Sequence, residues 1–143
     1  MKINLLIILF SLFLFQNCQR NKLGLEVKYY DNGNIEYIKN YDYQKLQGEA
    51  VWFFANGRLK QKIIFEMWLE NGHAYYFYES GALESHRYWR NGKMVGYVAD
   101  YWDDRMSIIK NVLYFNENGD LLYKKEFDSL GNYLREEGKK PEQ

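Results

Sequence analysis

Glycine recurs in this chain on a fixed beat. Gly24, Gly48, Gly72 and Gly96 stand 24 residues apart, and Gly33, Gly57 and Gly81 form a second series nine residues behind the first. Arg105 takes the next place of the second series and is the one break. The chain has only 11 glycines, so seven of them in register mark an internal repeat. A unit this short cannot bury an apolar face by itself, and it reaches stability only by stacking on its neighbours.

Other columns keep the same period. Tyr29, Phe53, Phe77 and Tyr101 follow the first glycine by five residues, and Tyr30, Phe54, Tyr78 and Trp102 follow it by six. Ile35, Leu59, Leu83 and Ser107 come at eleven, and Tyr41, Phe65, Trp89 and Leu113 at seventeen. Each unit reads as a glycine, a strand with two aromatics, a glycine turn, a second strand and a second turn. DNGN, ANGR and ESGA place glycine where a hairpin needs positive φ. Arg105, in DDRM, predicts a distorted or longer turn. Neighbouring residues of a strand point to opposite faces, so one aromatic column is expected in a core and the other on the second face. Past residue 112 the spacing shortens: Phe115 answers to Phe127 and Gly119 to Gly131, 12 residues apart. This predicts one or two shorter capping hairpins.

The fold expected is all-β: an array of hairpins with a period of about 24 residues, stacked into one elongated, twisted antiparallel sheet. Aromatics make up 19% of the chain, with 14 Tyr, which agrees with strands rather than helices. The repeat domain is placed at 24–134 and a polar tail at 135–143. Lys and Arg together number 19, as do Asp and Glu. No long like-charge run accompanies that balance, so nucleic acid is not an expected partner.

The first residues read differently. Lys2 precedes an apolar stretch that runs to Phe15, short of the roughly 20 residues a spanning helix needs and of a length that suits a signal peptide. The sole cysteine, Cys18, follows directly. It resembles the lipidated cysteine of bacterial lipoproteins, although Gln16 and Asn17 stand where small residues are usual. The expectation is a signal peptide at 1–17, lipidation at Cys18, a tether over 18–23 and a lipid-anchored place in a bacterial cell envelope. An ordinary secretory signal or an uncleaved anchor are the alternatives.

The stretches GEAVWFFANGRLKQKIIF, NGHAYYFYESGALESHRYW and RNGKMVGYVADYW resemble the MORN-repeat variant of bacterial antitoxins of the YwqK type. The resemblance covers about residues 24 to 134 and rests on turn glycines and packing aromatics. It implies stacked hairpins, a binding role and, in some members, toxin neutralisation. It supplies no catalytic residue.

Nothing in the sequence assembles a catalytic apparatus. His73 and His86 lie 13 apart without metal-site spacing and read as surface or edge residues. Asp100, Asp103 and Asp104 read as turn residues beside Arg105, and a hydrolase built on Asp103 is the remote enzymatic reading. No phosphate loop or GxSxG is present. No cofactor and no metal are expected. The aromatic ladders, Tyr30, Phe54, Tyr78 and Trp102 beside Tyr29, Phe53, Phe77 and Tyr101, are the candidate binding surface, because exposed aromatic strips mark interaction sites. A protein partner, a toxin among the candidates, is expected; stacking of sugar rings is the lesser reading, and mutual packing of the ladders the structural one. Gly24, Gly33, Gly48, Gly57, Gly72, Gly81 and Gly96 are assigned as turn glycines.

Overall fold

The computed structural model describes residues 23–141, so the signal segment, Cys18 and the tether up to residue 22 lie outside the described residues. The strands are β1 Gly24–Tyr29, β2 Ile35–Asp42, β3 Lys45–Phe53, β4 Leu59–Glu66, β5 Leu69–Phe77 and β6 Leu83–Arg90. They continue as β7 Lys93–Met94, β8 Gly96–Tyr101, β9 Ile109–Phe115, β10 Leu121–Phe127 and β11 Tyr133–Gly138. All pair antiparallel in one open sheet, in chain order, with β7 set beside β6 ahead of β8. Strand pairing continues to Gly138, four residues beyond the sequence-based boundary at 134.

From β1 to β7 two kinds of turn alternate, one at each end of the sheet; the later loop closed by Gly119, of three residues, joins the end of the two-residue turns. At one end the loops have three residues. Gly57 N donates to Phe54 O and Phe54 N to Arg58 O, both at 2.8 Å, and Gly57 takes φ 83°. This is a type I turn closed by a left-handed residue, the conformation glycine adopts without steric cost. The loops at 31–33 and 79–81 repeat it. At the other end the turns have two residues, both with positive φ: Tyr43–Gln44, Met67–Trp68 and Asn91–Gly92. That is the type I′ pattern, whose usual sequence is Asn-Gly.

The first glycine series is not a turn series, a correction to the sequence reading. Gly48 and Gly72 lie inside β3 and β5, while Gly24 and Gly96 open β1 and β8. Tyr41 pairs with Leu46 but Lys39 with Ala50, so β3 carries surplus residues around Gly48. Gly72, at φ 114°, marks the equivalent bulge in β5. Bulges bend a strand and free carbonyls from the ladder. Leu46 O and Glu70 O then accept Trp68 N and Gly92 N from the next turn, at 3.0 and 2.9 Å.

The turn at Arg105 is longer, as its missing glycine predicts. Tyr29 pairs with Ile35, but Tyr101 pairs with Ile109, two residues later than the period requires. Ser107 supplies the left-handed residue at φ 53°, and Asp104 Oδ1 accepts Met106 N at 2.7 Å. The column assignment beyond this loop is therefore corrected. Ile109 and Phe115, not Ser107 and Leu113, are equivalent to Ile35 and Tyr41, since Phe115 pairs with Gly96 as Tyr41 pairs with Gly24. The shorter spacing after it has a simple cause. Both remaining turns, closed by Gly119 and Gly131, are three-residue loops.

The tightest packing lies on one face. Ala50, Ile63 and Ala74 are cross-strand neighbours and nearly sealed from solvent, and Val98 and Ser85 are equally buried. Neither aromatic ladder is this buried core, which corrects the expectation that one would be. Ser85 is a buried hydroxyl with its partners in place: it donates to Asp100 Oδ1 at 2.8 Å and accepts Arg87 Nε at 3.1 Å. The edge strands are tied by polar groups. Tyr41 and Tyr37 donate to the Glu26 carboxylate across β1 and β2, holding Glu26 low and pushing Tyr41 up to about 12. Arg135, then Lys124, hold Glu126 down to about 2 at the other edge.

Candidate functional site

The ladder residues gather where the strands meet the three-residue loops. Tyr29, Phe53, Phe77 and Tyr101 end their strands, and Tyr30, Phe54, Tyr78 and Trp102 stand one residue beyond, at the loop corner. Tyr29 is exposed and the other seven are half-buried. The corner residues are held in two alternating ways. The Tyr30 hydroxyl donates to Phe53 O at 2.8 Å and the Tyr78 hydroxyl to Tyr101 O at 2.9 Å, each reaching the next repeat. Phe54 and Trp102 instead lie beneath Lys60 and Lys110, whose ammonium groups stand 5.7 and 4.7 Å from the ring centroids. Each such contact contributes on the order of 0.5–1 kcal/mol at an exposed site. Burial pushes the Tyr78 hydroxyl above its ordinary range.

Successive loops are laced together beside this corner. Asn32 and Asn34 both donate to Ala55 O at 2.8 Å, Arg58 donates to Ser80 O at 2.6 Å, and Ser80 donates to Asp103. The result is a continuous rim of polar loops. Between the third and fourth loops opens a groove of about 820 Å³, lined by Phe77 and Leu83 below and by Arg58, Asp103, Asp104 and Arg105 above. Asp103 and Asp104 thus serve the loop and also face the groove. Asp100 is separate from them, committed to Ser85 and Asn111.

One constellation was missed by sequence reasoning. Strand register sets His73 opposite Tyr88 and His86 opposite Tyr75, which makes the histidines diagonal neighbours on β5 and β6. His73 Nδ1 and His86 Nε2 stand 2.9 Å apart, and His86 stacks on Tyr75 with ring centroids at 4.6 Å. A hydrogen bond between two imidazoles needs one of them neutral. Burial, then the neighbouring His73, lowers the His86 pKa from its ordinary 6.5. The signal available was the hairpin register, which pairs His73 with Tyr88 and Tyr75 with His86 once the turn at 79–81 is fixed and so sets the two histidines on a diagonal.

The sign of the pH effect follows. Because folding favours neutral His86, the unfolded chain binds more protons as pH falls below about 6.5. Stability should be full well above that pH and should decline as the pH falls through it toward the lowered pKa of the folded state. His86→Gln should flatten that decline in urea titrations; an unchanged slope would remove His86 from the explanation.

Among the described residues, no group of three or more His, Cys, Asp or Glu is placed to hold a metal ion. Comparison with known proteins bears on the repeat. Residues 22–43 and 46–67 match the MORN repeat variant, and each match takes in one hairpin with its three-residue glycine loop. Repeats of this type are associated with protein–protein or membrane interactions. No curated protein matches the chain. Among solved structures, the chain is similar at 8% identity and a TM-score of 0.43 to a mutant of S. aureus TarM in complex with Fondaparinux, alpha-GlcNAc-glycerol and UDP. That likeness covers 90% of this chain but 22% of the other.

Proposed function

We propose that this chain is a non-enzymatic repeat module, held at a bacterial membrane by its N-terminus, that docks a protein partner along the aromatic loop corner. The observation that carries this reading is the corner itself. Eight aromatics stand at equivalent places; the four at the loop corner are fixed by hydrogen bonds or cations, and Phe77 lines the neighbouring groove beside Leu83 and its charged rim. Rigid aromatic side chains lose little entropy on binding, and Tyr and Trp are enriched among interface anchors. The rim loops carry Asp31, Glu79, Asp103, Asp104 and Asp128 against Arg58 and Arg105, an acidic balance that suits a basic partner surface. The anchor rests on the apolar stretch before Cys18 and on Cys18 itself.

Affinity purification of the full chain in mild detergent, followed by mass spectrometry, tests the reading. A stoichiometric partner should accompany the native chain and be lost with Tyr29→Ala or Trp102→Ala, each checked for native circular dichroism. A partner retained by both variants, or none with the native chain, would reject the corner as a docking site. The second reading, an antitoxin or immunity protein, narrows the partner to a toxin. It is favoured by the repeat type, and it requires that the copurified partner be toxic when expressed without this chain.

A further inference from the structure

The two ends of the sheet differ in kind. At one end the loops at 31–33, 55–57, 79–81, 103–107 and 129–131 are mostly Asp, Asn, Glu, Ser and Gly, with Met106 and Leu130 exposed singly among them. The two-residue turns place Tyr43, Met67 and Trp68 at their tips, all more than half exposed, with Leu69 beside them. Met67 and Trp68 adopt φ of 49° and 77°, a conformation that residues with a Cβ reach only at a cost. The following turn meets the same geometry with Asn91–Gly92. The chain therefore spends large apolar side chains on positions where small polar ones suffice. They are locked there: Met67 N donates to Gln47 Oε1 at 3.0 Å, Trp68 N to Leu46 O at 3.0 Å, and Trp68 meets Tyr41 edge-on at 5.8 Å.

The chain also enters the fold at this end. Gly24 pairs with Tyr41, two residues before Tyr43, and Leu23 and Leu25 on either side of Gly24 are exposed. The apolar stretch that ends at Phe15 is eight residues before Leu23, no more than about 29 Å of extended chain. Whatever bilayer receives that stretch lies within reach of these tips. Trp and Tyr favour the membrane–water interface, and Leu and Met insert just below it. Charges here are mixed: Asp42 and Glu66 stand before the turns and Lys45 and Lys93 after them, and Glu117, on the loop that joins this end farther along the sheet, pairs with Arg90. Apolar contact, not net charge, would hold the surface.

Resting on the anchored reading above, we propose that the end of the sheet carrying the Tyr43–Gln44 and Met67–Trp68 turns lies on a lipid bilayer, with Leu23, Leu25, Tyr43, Met67, Trp68 and Leu69 in its interfacial layer. The strands then stand away from the membrane and present the aromatic corner on the far side.

The test uses the full chain on vesicles of phosphatidylethanolamine and phosphatidylglycerol that contain phosphatidylcholine brominated near the top of its acyl chains. Brominated lipid should quench a share of the tryptophan emission, and that share should disappear in Trp68→Phe while both proteins remain vesicle-bound. A vesicle-bound protein whose quenching is absent, or is the same in Trp68→Phe, overturns the orientation but leaves the anchor standing. In that case, iodide access to Trp68 reports a bare end, and its exclusion reports a second copy or another protein there; either result rejects the bilayer as occupant. Failure of the full chain to stay with the vesicles overturns the anchored reading and this inference together.

Discussion

Ile63→Ala should lower the stability of the array by about 2–4 kcal/mol, the cost of emptying a buried aliphatic site that cannot collapse. Ile63 is 5% exposed on β4, and its neighbours on β3 and β5 are Ala50 and Ala74, both fully sealed. Two alanine methyl groups on strands fixed by their pairing are too short to fill the space. Native domains are stable by only about 5–15 kcal/mol, so the loss is a large share of the whole. The position matters as much as the size. In a sheet where each strand touches only its neighbours, stability is a sum of unit and interface terms. A weak β4 would uncouple β1–β3 from the rest and broaden or split the urea transition. Ile64→Ala is the control. Ile64 lies on the opposite face and is 37% exposed, and its truncation should cost about 1 kcal/mol or less. Equal losses for the two variants would mean that the sealed face is not the main source of stability.

How much of this could be read from the sequence differs between the two ends of the sheet. The loops closed by Gly33, Gly57 and Gly81 were legible because a left-handed turn position restricts the choice of residue so strongly. The turns at Tyr43–Gln44 and Met67–Trp68 were not legible by composition. At Met67–Trp68 the turn is held from outside, by Leu46 O and Gln47 Oε1 of the preceding bulge, and such long-range contacts override local preference. The bulges also explain why Gly48 and Gly72 looked like turn residues: positive φ is needed in both places. The loop at Arg105 announced its irregularity but not its length, and the two extra residues displaced every later column. The aromatic corner was visible as two columns. Its role as a corner was not, because alternation along a strand says nothing about where the strand stops. The His73–His86 pair needed the register, which follows from the turn and not from the spacing of the histidines.

Met67→Asn combined with Trp68→Gly should make the protein more stable while releasing this end of the sheet from the bilayer surface. The replacement writes into the second hairpin turn the sequence that Asn91–Gly92 already uses in the third. Relief of left-handed strain is worth roughly 1–2 kcal/mol per residue. Loss of the edge contact between Trp68 and Tyr41 returns about 0.5–1.5 kcal/mol, and a free glycine adds some unfolded-state entropy. The net expectation is a gain of about 1 kcal/mol, read as a higher urea midpoint with an unchanged slope. The backbone bonds from Trp68 N to Leu46 O and from Met67 N to the Gln47 side chain do not depend on the replaced side chains, so the bulge should persist. In the bilayer experiment the same variant should lose the shallow lipid quenching that depends on Trp68 and should hold its vesicles through the N-terminus alone. A chain that keeps strained apolar residues at an exposed tip, against a relaxed alternative it uses 24 residues later, gives up stability at that tip. If the variant proves less stable, the φ values do not represent strain and the argument for a purpose at the tip loses its physical basis. If it is more stable and the native chain shows no shallow lipid quenching that depends on Trp68, the tips serve something other than the membrane.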